Sequence, residues 1–150
     1  LNMLETIQTL IQKMGTVFND SESSFHEKVN QLCSNYIDFL LEEPELPTFI
    51  LSESRKNPGQ VMEKVPLKEI VMDSSFVHQY AEGVKPGEFN EMDATHVVAN
   101  LISMITFPFA ASNLLKGMGG LNDTQFNDLM TERKTMIPNW FMETIKTKQA

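Results

Sequence analysis

"VVANLISMITFPFAASNLL", Val97 to Leu115, is a run of 19 residues without a formal charge, and Pro108 stands in its middle. Wound as a helix it is apolar on almost every side, and such a helix has to be covered from more than one direction. The fold therefore turns on what covers it. A bilayer is one candidate, because the run approaches the ~20 residues that cross the hydrocarbon. Asn100, Ser103, Thr106, Ser112, Asn113 and Pro108 interrupt it, and Lys116 is its only basic flank, so burial within protein is the better reading and no membrane partner is expected.

The rest of the chain supplies helices to pack on it. Leu4, Ile7, Ile11, Met14 and Phe18 step by three or four residues, which predicts one apolar helix face from about Leu1 to Phe18. The polar "NDSESS" ends it. Ser24 and Glu27 form a capping-box pair for a second helix, whose apolar positions Phe25, Val29, Leu32, Cys33, Tyr36, Ile37, Phe39, Leu40 and Leu41 spread so widely that it reads as central. Pro44 and Pro47 close it and open a short third helix, followed by "TFILSESRK" up to Asn57-Pro58-Gly59. Gln60 to Glu82 is helical again, kinked or divided by Pro66, with Gly83 as a C-cap. Asp93 is placed to cap the helix that runs into Pro108, which is expected to bend or interrupt it. "GMGGLND" reads as a loop, and a last helix starts near Asn122 or Asp123. The expectation is a single all-α domain over 1–150, a bundle of about six helices.

The last two helices are more apolar than one-sided burial requires. Ile105, Phe109, Phe126, Leu129, Met130, Ile137 and Phe141 are accordingly expected between two copies of the chain, in a homodimer with a four-helix interface.

Bulk properties bound the function. The chain has 150 residues and a formal net charge of -8, with no basic run longer than Arg55-Lys56, so it lacks the positive stripe that phosphate backbones need. The lone Cys33 excludes a disulfide framework and fits a reducing, cytoplasmic setting. The first segment, "LNMLETIQTLIQKM", is not built as a signal peptide, and its start at Leu1 suggests that something precedes it. Cys33 with His26, His78 or His96 matches no metal or nucleophile spacing, and Cys33 sits on an apolar helix face, where a thiol is structural. No catalysis, metal or cofactor is expected. The ten methionines fill a core or line an adaptable pocket. Tyr36, His78, Asn100 and Ser103 are polar groups on apolar faces. Singly, each has a place as a satisfied core group; as a set they resemble the few polar anchors of an apolar pocket.

These residues carry a resemblance. "YIDFLLEEPELPTFILSESRKNP" (Tyr36–Pro58), "EGVKPGEFNEMD" (Glu82–Asp93) and "NLISMITFPF" (Asn100–Phe109) resemble, in order and spacing, the C-terminal domain of TetR/AcrR-type transcriptional regulators. The resemblance implies an all-helical domain that holds a small apolar effector between helices and dimerises through its last two. It also implies an N-terminal helix-turn-helix, absent from these residues, through which alone operator DNA would be a partner. Met14, Phe18, Tyr36, Phe76, His78, Asn100 and Met104 are expected around the effector. Pro66 and Pro138 within helical patterns depart from the family pattern. A dimeric helical scaffold without a ligand is the alternative, and a closed, dry pocket lined by several helices would discriminate against it.

Overall fold

The computed structural model describes residues 2–148, all of its regular structure helical. The helices are α1 (Met3–Phe18), α2 (Phe25–Glu42), α3 (Leu46–Lys56), α4 (Pro58–Lys64), α5 (Ser75–Val84), α6 (Ala94–Ala110), α7 (Ser112–Gly119) and α8 (Asp123–Ile145), with a π-helical turn at Lys68–Met72 between α4 and α5. Eight α-helices and a π-turn among the described residues replace the expected six. The division at Pro66 and the bend at Ala111 account for the difference.

The starts are set by side chains. Asn2 accepts from the Glu5 N–H, Ser24 from Glu27, Ser74 from Val77, Asp93 from Thr95 and Asn122 from Gln125. The box expected at Ser24 forms in its forward half, whereas the reciprocal box forms at Asn122, where Gln125 also accepts from the Asn122 N–H. Leu1, expected as the start of α1, lies outside the described residues.

Prolines act differently by context. Pro66 divides its segment, since α4 ends at Lys64 and the π-turn begins at Lys68. Pro108 and Pro138 are accommodated inside α6 and α8. The α6 break falls after Pro108, at Ala111, where α7 departs at 68°. No single helix among the described residues is long and apolar enough to cross a membrane. "GMGG" is mostly the end of α7, not a loop, with Gly120 at φ 63° as its left-handed cap.

α2 is the centre, packed against α1, α5, α6 and most extensively α8. Val29, Leu32, Cys33, Ile37 and Leu40 have no more than 1% of their surface exposed. An aromatic cluster fastens α5 to this centre: Phe25 stacks on Phe76 at 4.6 Å between centroids, Phe18 meets Phe76 edge-on at 5.2 Å, and Tyr80 stacks on Phe89 at 5.8 Å. The α1–α2 corner is held by a fully buried lysine. Lys28 Nζ donates to the Asp20 carbonyl (2.5 Å), the Ser23 carbonyl (2.7 Å) and Ser23 Oγ (2.9 Å), using all three ammonium protons.

Gly83 does not cap α5, which continues to Val84. It is small because the Phe89 ring occupies the space a Cβ would need, while the Gly83 carbonyl accepts from the N–H groups of Glu88 and Phe89. Gly83→Ala would gain up to about 1 kcal/mol of helix propensity. Displacing the Phe89 ring costs more, typically about 1–3 kcal/mol. Gly83→Ala is therefore expected to lower the urea unfolding midpoint, which equilibrium denaturation followed by circular dichroism measures.

Candidate ligand-binding cavity

α6 has three faces, and they answer what Val97–Leu115 packs against. Val97, Leu101, Ile105 and Phe109, at four-residue steps, are nearly fully buried in the core with α2 and α8. Val98, Ala99 and Ile102 line a cavity. Asn100, Ser103 and Phe107 face outward.

The cavity has a volume of about 510 Å³ and lies between α1, α2, α3, the π-turn and α6. Its walls are Leu10, Ile11, Met14 and Phe18 from α1, Tyr36 from α2, Ile50 from α3, Leu67 to Met72 apart from Glu69, and the α6 face with Thr95. The cavity is half open to solvent, and its almost wholly hydrocarbon lining is what suits it to an apolar small molecule. Its one cationic wall residue, Lys68, lies at the rim with most of its side chain in solvent, 3.3 Å from Asp73.

The π-turn wall is docked on α1. Asn19 Nδ2 donates to the carbonyls of Gly15 and Ile70, both at 3.0 Å. A Cβ at Gly15 would come within 3.0 Å of Ile70 Cγ2, so a larger residue there would push the turn away. Within the turn the Asp73 N–H reaches back five residues to the Lys68 carbonyl, the wide hydrogen bond that marks a π-helix.

Beyond Leu10, Met14 and Tyr36 lies a second cavity of about 510 Å³ between α1 and α2, with a more polar lining of Lys13, Thr16, Asn35, Asp38 and Glu42. Lys13 lies over the Phe39 ring at 5.3 Å, and Asp38 pairs with Lys134 of α8. Leu10, Met14 and Tyr36 line both cavities. Tyr36, 9% exposed, accepts a hydrogen bond from Thr106 Oγ1 at 2.9 Å, and burial raises its phenol above the ordinary value while that bond works the other way.

Of the residues expected at an effector, Met14, Phe18 and Tyr36 meet on this cavity. Phe76 stands behind Phe18 in the aromatic cluster. The remaining three are corrections. His78 lies half a turn from the inward pair Phe76 and Tyr80, exposed and 2.8 Å from Glu82. Asn100 points to solvent. Met104 faces an open groove with Ser103, Phe107, Pro108, Leu115 and Arg133, on the far side of α6. Sequence reading also missed Leu10, Ile11, Val98 and Ile102 on the long helices α1 and α6, and Ile50, Leu67, Ile70 and Val71 in the segments around Pro66 and α3, where periodicity is too short to fix a face.

Six of the seven residues expected between chains are also corrected. Ile105, Phe109, Phe126, Met130, Ile137 and Phe141 are at most 5% exposed within the one chain, as its own core. Leu129 alone is exposed. The outward stripe on α8 is Leu129, Arg133, Met136 and Trp140, and Phe107, Leu114 and Met118 extend the apolar surface along α6 and α7. Arg133 bridges the helices: its guanidinium donates to the Met104 carbonyl at 2.6 Å and lies 5.4 Å from the Trp140 ring centroid.

Cys33 is fully buried and its thiol is pushed up to about 12 by desolvation, so it has no nucleophilic thiolate at neutral pH. Among the described residues no group of three His, Cys, Asp or Glu side chains is placed to hold a metal. No family model matches the chain, and no curated protein is detectably similar to it.

Proposed function

We propose that this chain is the effector-sensing and self-associating domain of a TetR/AcrR-type transcriptional regulator. The resemblance rests on the sequence motifs quoted above. The observation that carries the functional reading is the apolar cavity of about 510 Å³ whose walls include four α1 residues. In the arrangement that the resemblance implies, α1 is the helix nearest the DNA reader. A ligand between α1 and α6 therefore touches the element through which its presence would be transmitted. Since coupling between two sites is reciprocal, operator DNA and effector would change each other's affinity by the same factor. The chain's own charge of -8 opposes direct phosphate contact, which leaves DNA to the reader.

The scaffold alternative gives no reason for a cavity with this lining. The test uses N-phenylnaphthylamine, a neutral apolar dye whose fluorescence rises on leaving water. Saturable uptake near one dye per chain is expected. Val98→Trp, which fills the α6 side of the cavity, is expected to weaken it about tenfold or more through the apolar area withdrawn from the dye. Uptake absent from the native chain, or unaffected by Val98→Trp, would contradict the reading.

Self-association is proposed through the outward face of α6, α7 and α8. Phe107, Met118, Met136, Trp140 and Arg133 are of the types enriched at interface centres. The occupant is a second copy, because a twofold interface needs one patch able to meet itself, and this patch is mainly apolar, with the Arg133 guanidinium held by the Met104 carbonyl and the Trp140 ring. Phe107 is 61% exposed, so Phe107→Asp leaves the monomer core intact. It is expected to weaken the dimer by about thirtyfold, an interface hot-spot loss of ~2 kcal/mol. Sedimentation equilibrium measures this, and a native monomer at micromolar concentration would refute it.

A further inference from the structure

We infer that Arg133 is a positioning residue of the outward face: its guanidinium stands in for the backbone hydrogen bond that Pro108 removes from α6, and so fixes the turn from α6 into α7. Its consequence for self-association rests on the reading above. Proline has no N–H and its ring crowds the carbonyl four residues earlier, which in α6 is that of Met104. Arg133 Nη2 donates to that carbonyl at 2.6 Å from α8. A cationic donor makes a stronger hydrogen bond than the amide it replaces. Pro138 gives the contrast. The carbonyl it frees in α8 is that of Lys134, to which no side chain donates among the described residues, and α8 runs on unbroken to Ile145. α6 instead ends at Ala110, and α7 leaves it at 68°.

α7 does not fix that angle by its own packing. Ser112–Gly119 holds no buried residue, and its polar ties, Lys116 to Asp123 at 2.9 Å and Lys116 over the Phe126 ring at 5.2 Å, belong to its later half. Near its start, Leu115 shares a groove with Met104 and Phe107 of α6 and with Arg133 of α8. Arg133 therefore supplies the charge where the three helices meet. The site is not built as an ion pair, since no carboxylate lies within 4 Å of Arg133 among the described residues and its Nε is buried without a partner. What holds the guanidinium is the Met104 carbonyl and the Trp140 ring. Phe107 precedes the turn, and Leu114 and Met118 follow it, so the clasp sets how these exposed residues stand to one another.

The experiment is a double-mutant cycle of Arg133→Met and Pro108→Ala in the full chain. Pro108→Ala returns an N–H to the Met104 carbonyl and makes the clasp redundant, while the contact of Arg133 with Trp140 is kept. Urea unfolding, at a concentration where the chain sediments as a monomer, is followed by the emission of Trp140, the single tryptophan. Arg133→Met is expected to lower the midpoint by about 0.5 M more in the native background than in Pro108→Ala, the scale of one hydrogen bond. Equal shifts in both backgrounds overturn the proposal. The comparison is decisive where the single shift is not, because Arg133→Met also relieves a part-desolvated charge. Arg133→Gln, a milder change, is expected to differ between backgrounds with the same sign. Sedimentation equilibrium of the four chains reads the face. Arg133→Met is expected to weaken the dimer about fivefold or more in the native background and less than about twofold in Pro108→Ala. Equal weakening in both makes Arg133 a direct contact and overturns the positioning role. A native monomer at micromolar concentration overturns the self-association reading and this role at the face, while the urea cycle decides the clasp independently.

Discussion

The fold is arranged around the need to cover the apolar face of α2 along its whole length. A face with Val29, Leu32, Cys33, Ile37 and Leu40 essentially inaccessible to solvent needs several neighbours, and α1, α5, α6 and α8 supply them, while His26, Asn30, Gln31, Asn35, Asp38 and Glu42 keep the opposite face in solvent. Fully burying each such side chain is worth roughly 1.5–3 kcal/mol, far more than any surface ion pair in the chain. The neighbours cannot move independently without uncovering α2. The buried ammonium of Lys28 enforces this at one end, since it ties the Asp20–Ser23 corner to the helix that begins at Phe25.

Tyr36 is where α2 meets the space its neighbours do not fill. α1 and α6 both pack on α2, yet α3 and the π-turn span the space between them, and the remaining gap is the apolar cavity. The π-turn suits this place because its hydrogen-bond ladder is irregular and it is held chiefly by Asn19 and the close approach at Gly15. One side of the cavity is therefore a core helix and another is a lightly tethered segment. A ligand in the cavity would lie against both α1 and this segment.

The sequence made the helical class legible through period and caps: Ser24, Asp93 and Asn122 stand where they were expected. Met14, Phe18 and Tyr36 were legible as cavity residues because each lies on a long helix whose inward face is fixed by many positions. His78, Asn100 and Met104 were misplaced because a polar or flexible residue beside apolar ones does not reveal which of two adjacent helix faces it occupies, and a rotation of half a turn sends it to solvent. The apolarity of α6 and α8 signalled heavy burial correctly. It could not tell a chain's own core from an interface, since both select Ile105, Phe109, Ile137 and Phe141 for the same transfer free energy. The large apolar residues these helices leave exposed are instead Phe107, Leu114, Met118, Leu129, Met136 and Trp140.

The central claim is that an occupant of the cavity acts on α1 through shared walls. Hydrogen exchange of the backbone amides, with and without saturating N-phenylnaphthylamine, tests it most directly. The account predicts slower exchange in the second half of α1, through Leu10, Met14 and Phe18, and in the π-turn at Lys68–Met72, with α8 little changed. Dye uptake that leaves α1 and the π-turn unaffected, or that protects only α8, would contradict it.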